Sequence, residues 1–272
     1  MIEIITFQEV KSNDKHITEV MYEKFLKELK EKYPKMEIIS EDYDEEVDEN
    51  KNNGTKFYTK ILEMKLTFET FTEYIKFCME QGADLEVMKP SKITISSKEF
   101  GELLLYIIEF FNKIQARYDI SYSVESKPDI EYTIEELKEG IYDEDDIYDF
   151  IDDGYIDTKF VLKGFGKSEK EVVSNILKTI SEDMYVNKVI TQPMELENNS
   201  AVGNMPKPGF SGLIALEVFG KPFEIVEFTY KYLPVTVKFQ DKDIELEINE
   251  IQDIGNDLGG AIFELSHAAA NM

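Results

Sequence analysis

Gly164-Phe165-Gly166-Lys167-Ser168 joins a strand-like stretch to a helical pattern, the kind of junction where backbone N–H groups can cradle a phosphate. A P-loop needs glycine at position 161, where this chain has Val161, and Ser168 with Glu171 forms a capping box that accounts for the serine without a nucleotide. Aspartate-rich runs offer hard oxygen ligands for calcium, but no window follows Asp-x-Asp-x-Asp-Gly with a glutamate at the twelfth place. Paired carboxylates for acid–base or glycosidase work need a concave, partly apolar site, and among 56 acidic side chains spacing selects no pair. Cys78 falls on the apolar stripe of a helical pattern, the usual setting of an inert buried thiol. Only His16 and His267 accompany it, so no zinc-binding Cys/His set exists and no internal disulfide can form. Both histidines stand near helix ends, where they serve as surface or capping groups. The residues therefore point to no catalytic group, no cofactor and no metal, and the chain reads as non-enzymatic.

The chemistry that remains is charge. Of 272 residues, 56 are acidic and 30 basic, a net charge of −26. Such a balance opposes counterion release from phosphates and disfavours direct contact with DNA, RNA or an anionic bilayer. No apolar run approaches the roughly 18 residues of a membrane span, and Met1-Ile2-Glu3-Ile4-Ile5 lacks the basic start of a signal peptide. The expected setting is cytoplasmic, with a basic protein or protein complex as partner and homo-oligomers allowed. Apolar residues make up 42% of the chain and aromatics 12%, enough to build cores and to exclude global disorder.

The charge is localised. Residues 41–49 hold seven acidic side chains and no basic one, and residues 129–157 hold thirteen against Lys138 alone. Disordered acidic tails are poor in aromatics, whereas this second run interleaves Tyr132, Ile134, Leu137, Ile141, Tyr142, Ile147, Tyr148, Phe150, Ile151, Tyr155 and Ile156. It is expected to fold, with Thr133 and Glu136 as a helix start. A continuous helix at about 1.5 Å per residue would space its net charge close to the roughly 3.4 Å phosphate interval of one DNA strand, although Gly140 and Gly154 interrupt the line. The candidate partner-binding residues are Tyr142, Asp143, Glu144, Asp145, Asp146, Tyr148, Asp149, Asp152 and Asp153.

The elements that must carry this segment are legible as β-α-β patterns. Residues 1–40 give a strand at Ile2–Phe7, a helix with Ile17, Val20, Met21, Phe25 and Leu29 as its apolar stripe, and a strand at Met36–Ile39 after Pro34. Residues 41–55 read as an acidic linker. From Lys56 a strand, a helix capped by Gly82, a strand at Asp84–Met88 and a helix opened by Ser96 and Glu99 follow. After Thr158 the pattern returns, with a turn-rich loop at Glu197–Gly209. Val235–Phe239 and Ile244–Ile248 read as a hairpin, and a last helix carries Ile251, Ile254, Leu258, Ile262 and Leu265, loosened by Gly255, Gly259 and Gly260. The expected fold is α+β, with repeated ferredoxin-like β-α-β modules in two lobes. The lobes are residues 1–125 and 158–272, joined by the acidic aromatic segment 126–157.

The run from Phe71 to Pro90, with Gly82, Glu86-Val87 and Pro90 as its marks, and the helix from Lys98 resemble the C-terminal extension module of WYL-domain proteins over about residues 56–117. The resemblance implies a small β-α-β-α unit that makes protein contacts. It assigns no functional residue here, and neither the regulatory domain nor the helix-turn-helix reader usual in that family is recognisable.

The function expected from these features is occupation of a basic surface on another protein by the acidic segment. An inhibitor of a nucleic-acid-handling enzyme, of the phage anti-defence kind and acting as a nucleic-acid mimic, fits that charge. An immunity protein or antitoxin against a basic toxin, and a small-molecule-sensing regulatory protein, are the alternatives.

Overall fold

The computed structural model describes residues 1–48, 55–82, 84–118, 134–180, 184–194, 209–240 and 242–270. Ile2, Ile4 and Thr6 turn inward at alternate places along β1 (Ile2–Ser12). This period-two pattern belongs to a sheet with one covered face. Asp14 then caps α1 (Lys15–Lys32), its side chain accepting from the Ile17 N–H. The series continues with β2 (Glu37–Asp48), β3 (Thr55–Phe68), α2 (Phe71–Gln81) and β4 (Leu85–Lys89). The strands pair antiparallel throughout, in the order β2-β3-β1-β4. Leu62, Met64, Leu66 and Phe68 of β3 build the core with Tyr74, Ile75, Phe77 and Cys78 of α2.

After β5 (Lys92–Ile95), α3 (Ser97–Tyr118) and two short helices, α4 (Ile134–Glu139) and α5 (Glu144–Asp152), the same order of elements recurs. It runs through β6 (Ile156–Gly166), α6 (Glu169–Ile180), β7 (Tyr185–Pro193), β8 (Phe210–Gly220), α7 (Pro222–Tyr232) and β9 (Thr236–Phe239). The strand order, β7-β8-β6-β9, matches the first sheet position for position and is again antiparallel. β10 (Ile244–Glu247) and α8 (Ile248–Ala270) end the chain. The protein is therefore mixed α+β with antiparallel sheets.

Two compact units result, Met1–Ile93 with Glu245–Asn271, and Thr94–Ile244. The helix that follows each series belongs to the unit built by the other. α8 supplies Ile251, Ile254, Leu258 and Leu265 to the core of the first unit, each burial contributing roughly 1.5–3 kcal/mol. Tyr74 donates to the Ile251 carbonyl at 2.9 Å. Asn256 accepts from the Leu85 N–H and donates to the Leu85 carbonyl, and Gln252 accepts from the Val87 N–H. One turn of amides thus closes the free edge of β4, which would otherwise be open to strand addition. In the second unit α3 buries Phe100, Leu103, Leu104, Ile107 and Phe111. Phe111 stacks on Tyr230 of α7 at 5.2 Å, and Phe100 meets Phe239 of β9 edge-on at 5.7 Å.

Several expectations change. The units are drawn elsewhere than at 1–125 and 158–272, because α3 serves the second sheet and α8 the first. For the same reason the helix of the segment 56–117 that resembles a WYL extension does not lie in the unit of its own strands. Glu41–Asp48 are not a linker but most of edge strand β2, held by β3 through pairs such as Glu45–Lys56. The strands at 236–239 and 244–247 are no hairpin: β9 pairs with β6, and β10 with β5. α1 is turned one residue from its apolar stripe. It buries Thr18, Tyr22 and Leu29 and leaves Ile17, Val20 and Met21 exposed. The Thr18 hydroxyl reaches the Tyr58 carbonyl and the Tyr22 hydroxyl reaches Glu41, so polar contacts to the sheet set the rotation. Gly255 tightens α8 rather than loosening it, since a Cβ there would stand 2.0 Å from the Tyr74 hydroxyl. Residues 197–208 of the expected loop lie outside the described residues.

Candidate functional site

Six residues of α4 and nine of α5 replace the continuous acidic helix, because Gly140 and Gly154 take φ of 102° and 82°. These angles belong to the left-handed region that ends helices. Asp129, Glu131, Tyr132 and Thr133 lie outside the described residues. Asp143 caps α5 by accepting from the Asp145 and Asp146 N–H groups at 3.0 Å, and Asp146 returns the contact to the Asp143 N–H. Carboxylates crowd this N-terminus because four free N–H groups and the helix dipole favour negative charge there.

The segment is docked through Asn187. This residue sits at a bulge in β7, is 6% exposed, and accepts from both the Ile141 and Tyr142 N–H groups at 3.0 Å. Its amide donates to Glu217 of β8 at 3.1 Å, and Glu217 pairs with Lys159 of β6 at 2.6 Å. Aromatic packing completes the attachment. Phe150 stacks on Tyr185 at 4.4 Å and tilts over Phe219 at 5.3 Å, while Tyr142 meets Phe150 edge-on at 5.0 Å. Lys221 stands 4.2 Å from the centre of the Tyr155 ring and donates to the Asp153 carbonyl.

The expected binding residues accordingly separate. Asp143, Glu144, Asp145, Asp146, Asp149, Asp152 and Asp153 are all exposed, and none pairs its carboxylate with a cation among the described residues. Tyr148 is 69% exposed. Tyr142 is half-buried and turned toward Phe150, Tyr185 and Phe219, so it holds the helix in place rather than facing outward. The seven acids of α5 and its caps form one water-facing ridge on a helix anchored by rings.

Beside the ridge lies a cluster that spacing did not reveal: Asp157, Lys159, Asn187, Glu217 and Gln240. Asp157 and Lys159 come from β6, Glu217 from β8, and Gln240 follows β9. Burial, and next the Glu217 carboxylate, push the Asp157 carboxyl up, against the smaller opposing effects of Lys159 and Gln240. The signal present in the sequence was Glu217, one charge inside the apolar run Leu213–Phe219.

The remaining candidates take structural places. Ser168 accepts from the Glu171 N–H at 3.2 Å as the cap of α6, and a Cβ at Gly166 would meet Val172 at 2.4 Å, so the glycine serves strand–helix packing. Cys78 is fully buried, and desolvation raises its thiol far above the ordinary range. Among the described residues no group of three or more His, Cys, Asp or Glu is placed to hold a metal ion. No helix there is long and apolar enough to cross a membrane.

The sequence model of the MJ0538 family matches residues 3–272. A protein of Methanocaldococcus jannaschii, described as "Uncharacterized protein MJ0538", is 43% identical over 270 residues, covering 98% of each chain. No solved structure matches.

Proposed function

This chain belongs to the MJ0538 family, and we propose that it is a non-enzymatic binding protein whose acidic helix α5 occupies a basic surface of another protein. The observation that carries the reading is a contrast between two acidic runs. On β2, Glu45 pairs with Lys56, Glu46 with Lys11, and Glu41 accepts from the Tyr22 hydroxyl. On α5 and its caps, seven exposed carboxylates share nine helical residues and two flanks without an ion pair among the described residues. Like charges at such spacing repel and destabilise an isolated helix. Here ring packing and Asn187 hold them in place, and a basic partner would relieve the repulsion. Electrostatic steering would make association fast and salt-sensitive, with Tyr148 as the exposed ring available for desolvation.

The basic groove of a nucleic-acid-handling protein has the complementary charge. The relative in a cellular organism makes a resident partner the simpler reading than a phage countermeasure. We read each β-α-β-β-α-β series as a ferredoxin-like sandwich, a reading supported by the shared strand order.

The test begins with affinity purification from the native host using the full chain, followed by binding measurements with the purified partner. Converting Asp143, Glu144, Asp145 and Asp146 to Asn or Gln should weaken affinity tenfold or more at low salt, about 1.4 kcal/mol, and flatten the salt dependence. Asn retains the cap at position 143, so helix loss does not confound the result. Equal affinity of the two proteins at low salt refutes the proposal.

A further inference from the structure

Glu3 and Asp157 hold equivalent places in two sheets of the same strand order. Each is the second paired residue of its leading strand, after Ile2 opposite Phe68 in one sheet and Ile156 opposite Gly220 in the other. Glu3 lies between two ammonium groups, Lys65 Nζ at 2.8 Å and Lys89 Nζ at 3.0 Å. Its hydrogen bonds to Lys65 and then Lys89 hold its carboxyl below the usual range.

Around Asp157 both lysines have been replaced. Lys65 stands opposite Ile5 in the first sheet, and the corresponding residue opposite Lys159 is Glu217. Lys89 stands opposite Glu3 on the outer strand, whereas the residue after Phe239, itself opposite Thr158, is Gln240. The Gln240 amide reaches Asp157 Oδ2 at only 3.4 Å. Asp157 Oδ1 is buried and finds no hydrogen-bond partner among the described residues. Lys159 neutralises Glu217 at 2.6 Å and is itself largely exposed. One negative charge is thus left over, on a carboxyl whose counterpart in the same molecule takes a lysine ammonium.

We propose that Asp157, with Gln240, binds a primary ammonium group of a ligand in the position that Lys89 Nζ fills in the first sheet. An ammonium carries three N–H donors and no acceptor. Asp157 and the Gln240 side-chain oxygen can accept from it together, and Gln240 is exposed and weakly held, free to turn. The ligand class is a primary alkylamine, either a free aliphatic diamine or the lysine side chain of a protein. This site is separate from the α5 ridge, and the proposal stands or falls independently of it.

The full chain is titrated by NMR at 0.15 M salt with 1,4-diaminobutane, with Nα-acetyl-lysine methylamide and with tetramethylammonium. Saturable shifts at residues around Asp157 and Gln240 are expected with the amines and not with tetramethylammonium, which lacks N–H donors. Diamine binding without capped-lysine binding assigns a free amine, and the reverse assigns a protein side chain. Gln240→Lys supplies the first sheet's own ammonium, and should weaken amine binding at least tenfold while raising Tm. Lys89→Gln should create a second amine site beside Glu3. The proposal is overturned if neither amine binds, if the shifts are confined to α5, or if Gln240→Lys binds amines as well as the native chain.

Discussion

Gly255→Ala tests whether the last helix of the chain is core to the first unit. Built on the backbone at 255, a Cβ would stand 2.0 Å from Tyr74 Oη, 2.8 Å from Tyr74 Cζ and 3.1 Å from Cys78 Sγ. Tyr74 is fully buried and its hydroxyl is committed to the Ile251 carbonyl at 2.9 Å. Relief therefore requires α8 to move by more than about 1 Å, or the ring to give up its hydrogen bond. Overpacking of this kind costs about 1–3 kcal/mol, and a buried hydroxyl left unpaired about 1–3 kcal/mol more. The better helix propensity of alanine offsets about 1 kcal/mol. The expected net loss is about 1–5 kcal/mol, read from urea unfolding followed by circular dichroism. Tyr74→Phe removes the colliding oxygen, so the double variant should cost less than the sum of the single ones by about 1 kcal/mol. If Gly255→Ala is neutral or stabilising, or if the two changes add, α8 does not pack on α2 as described and the exchange of terminal helices between units is wrong.

Gly82 and Leu233 end α2 and α7 at equivalent left-handed positions, with φ of 57° and 46°. Gly82→Ala should cost about 1–2 kcal/mol, whereas Leu233→Gly should fall near zero because strain relief offsets the loss of a half-buried side chain; thermal unfolding of both variants checks the pair. For Asp157 the sign follows from its raised carboxyl pKa: the folded state favours the proton, so stability is greatest below the unfolded pKa of about 4 and falls as pH rises through the folded value. Asp157→Asn should then raise stability at pH 7 by about 1 kcal/mol, the lower end for a buried polar group without a partner, and leave it unchanged near pH 3; an equal gain at both pH values refutes the assignment.

What the sequence displays is which face of an element is apolar, and this is why the strands with Ile2 and Ile4, or Leu62 to Phe68, and the helices with Phe100 to Phe111 are legible in it. It does not display what that face meets. Ile251, Ile254 and Leu258 predict a helix, but nothing in their spacing assigns it to Tyr74 rather than to the neighbouring strands at 236–239. The rotation of α1 was hidden for another reason. Thr18 and Tyr22 bury polar atoms that are satisfied by Tyr58 and Glu41, partners forty and nineteen residues away along the chain, and an apolar count scores such positions as exposed. The acidic run on β2 imitates a linker because an edge strand tolerates charge on both faces when its neighbour supplies lysines. In the second run the interleaved rings did announce folding, but spacing could not say that Tyr142 and Phe150 turn inward while Tyr148 faces water.

The two halves of the chain share an order of elements and differ in how their acids are used. In the first unit Glu3 and Glu45 each meet a lysine on the adjacent strand, and Glu46 meets Lys11 across the intervening β3, so their charge is spent on pairing the sheet. In the second, Asp157 keeps the backbone place of Glu3 without its lysines, and the loop-helix segment ahead of β6 adds seven more acids that no described cation balances. An asparagine bulge and five aromatic rings fix the acidic helix in the second unit and so hold repelling charges close together. Holding like charges at short range costs stability, and a binding partner of opposite sign is the physical circumstance in which that cost is recovered.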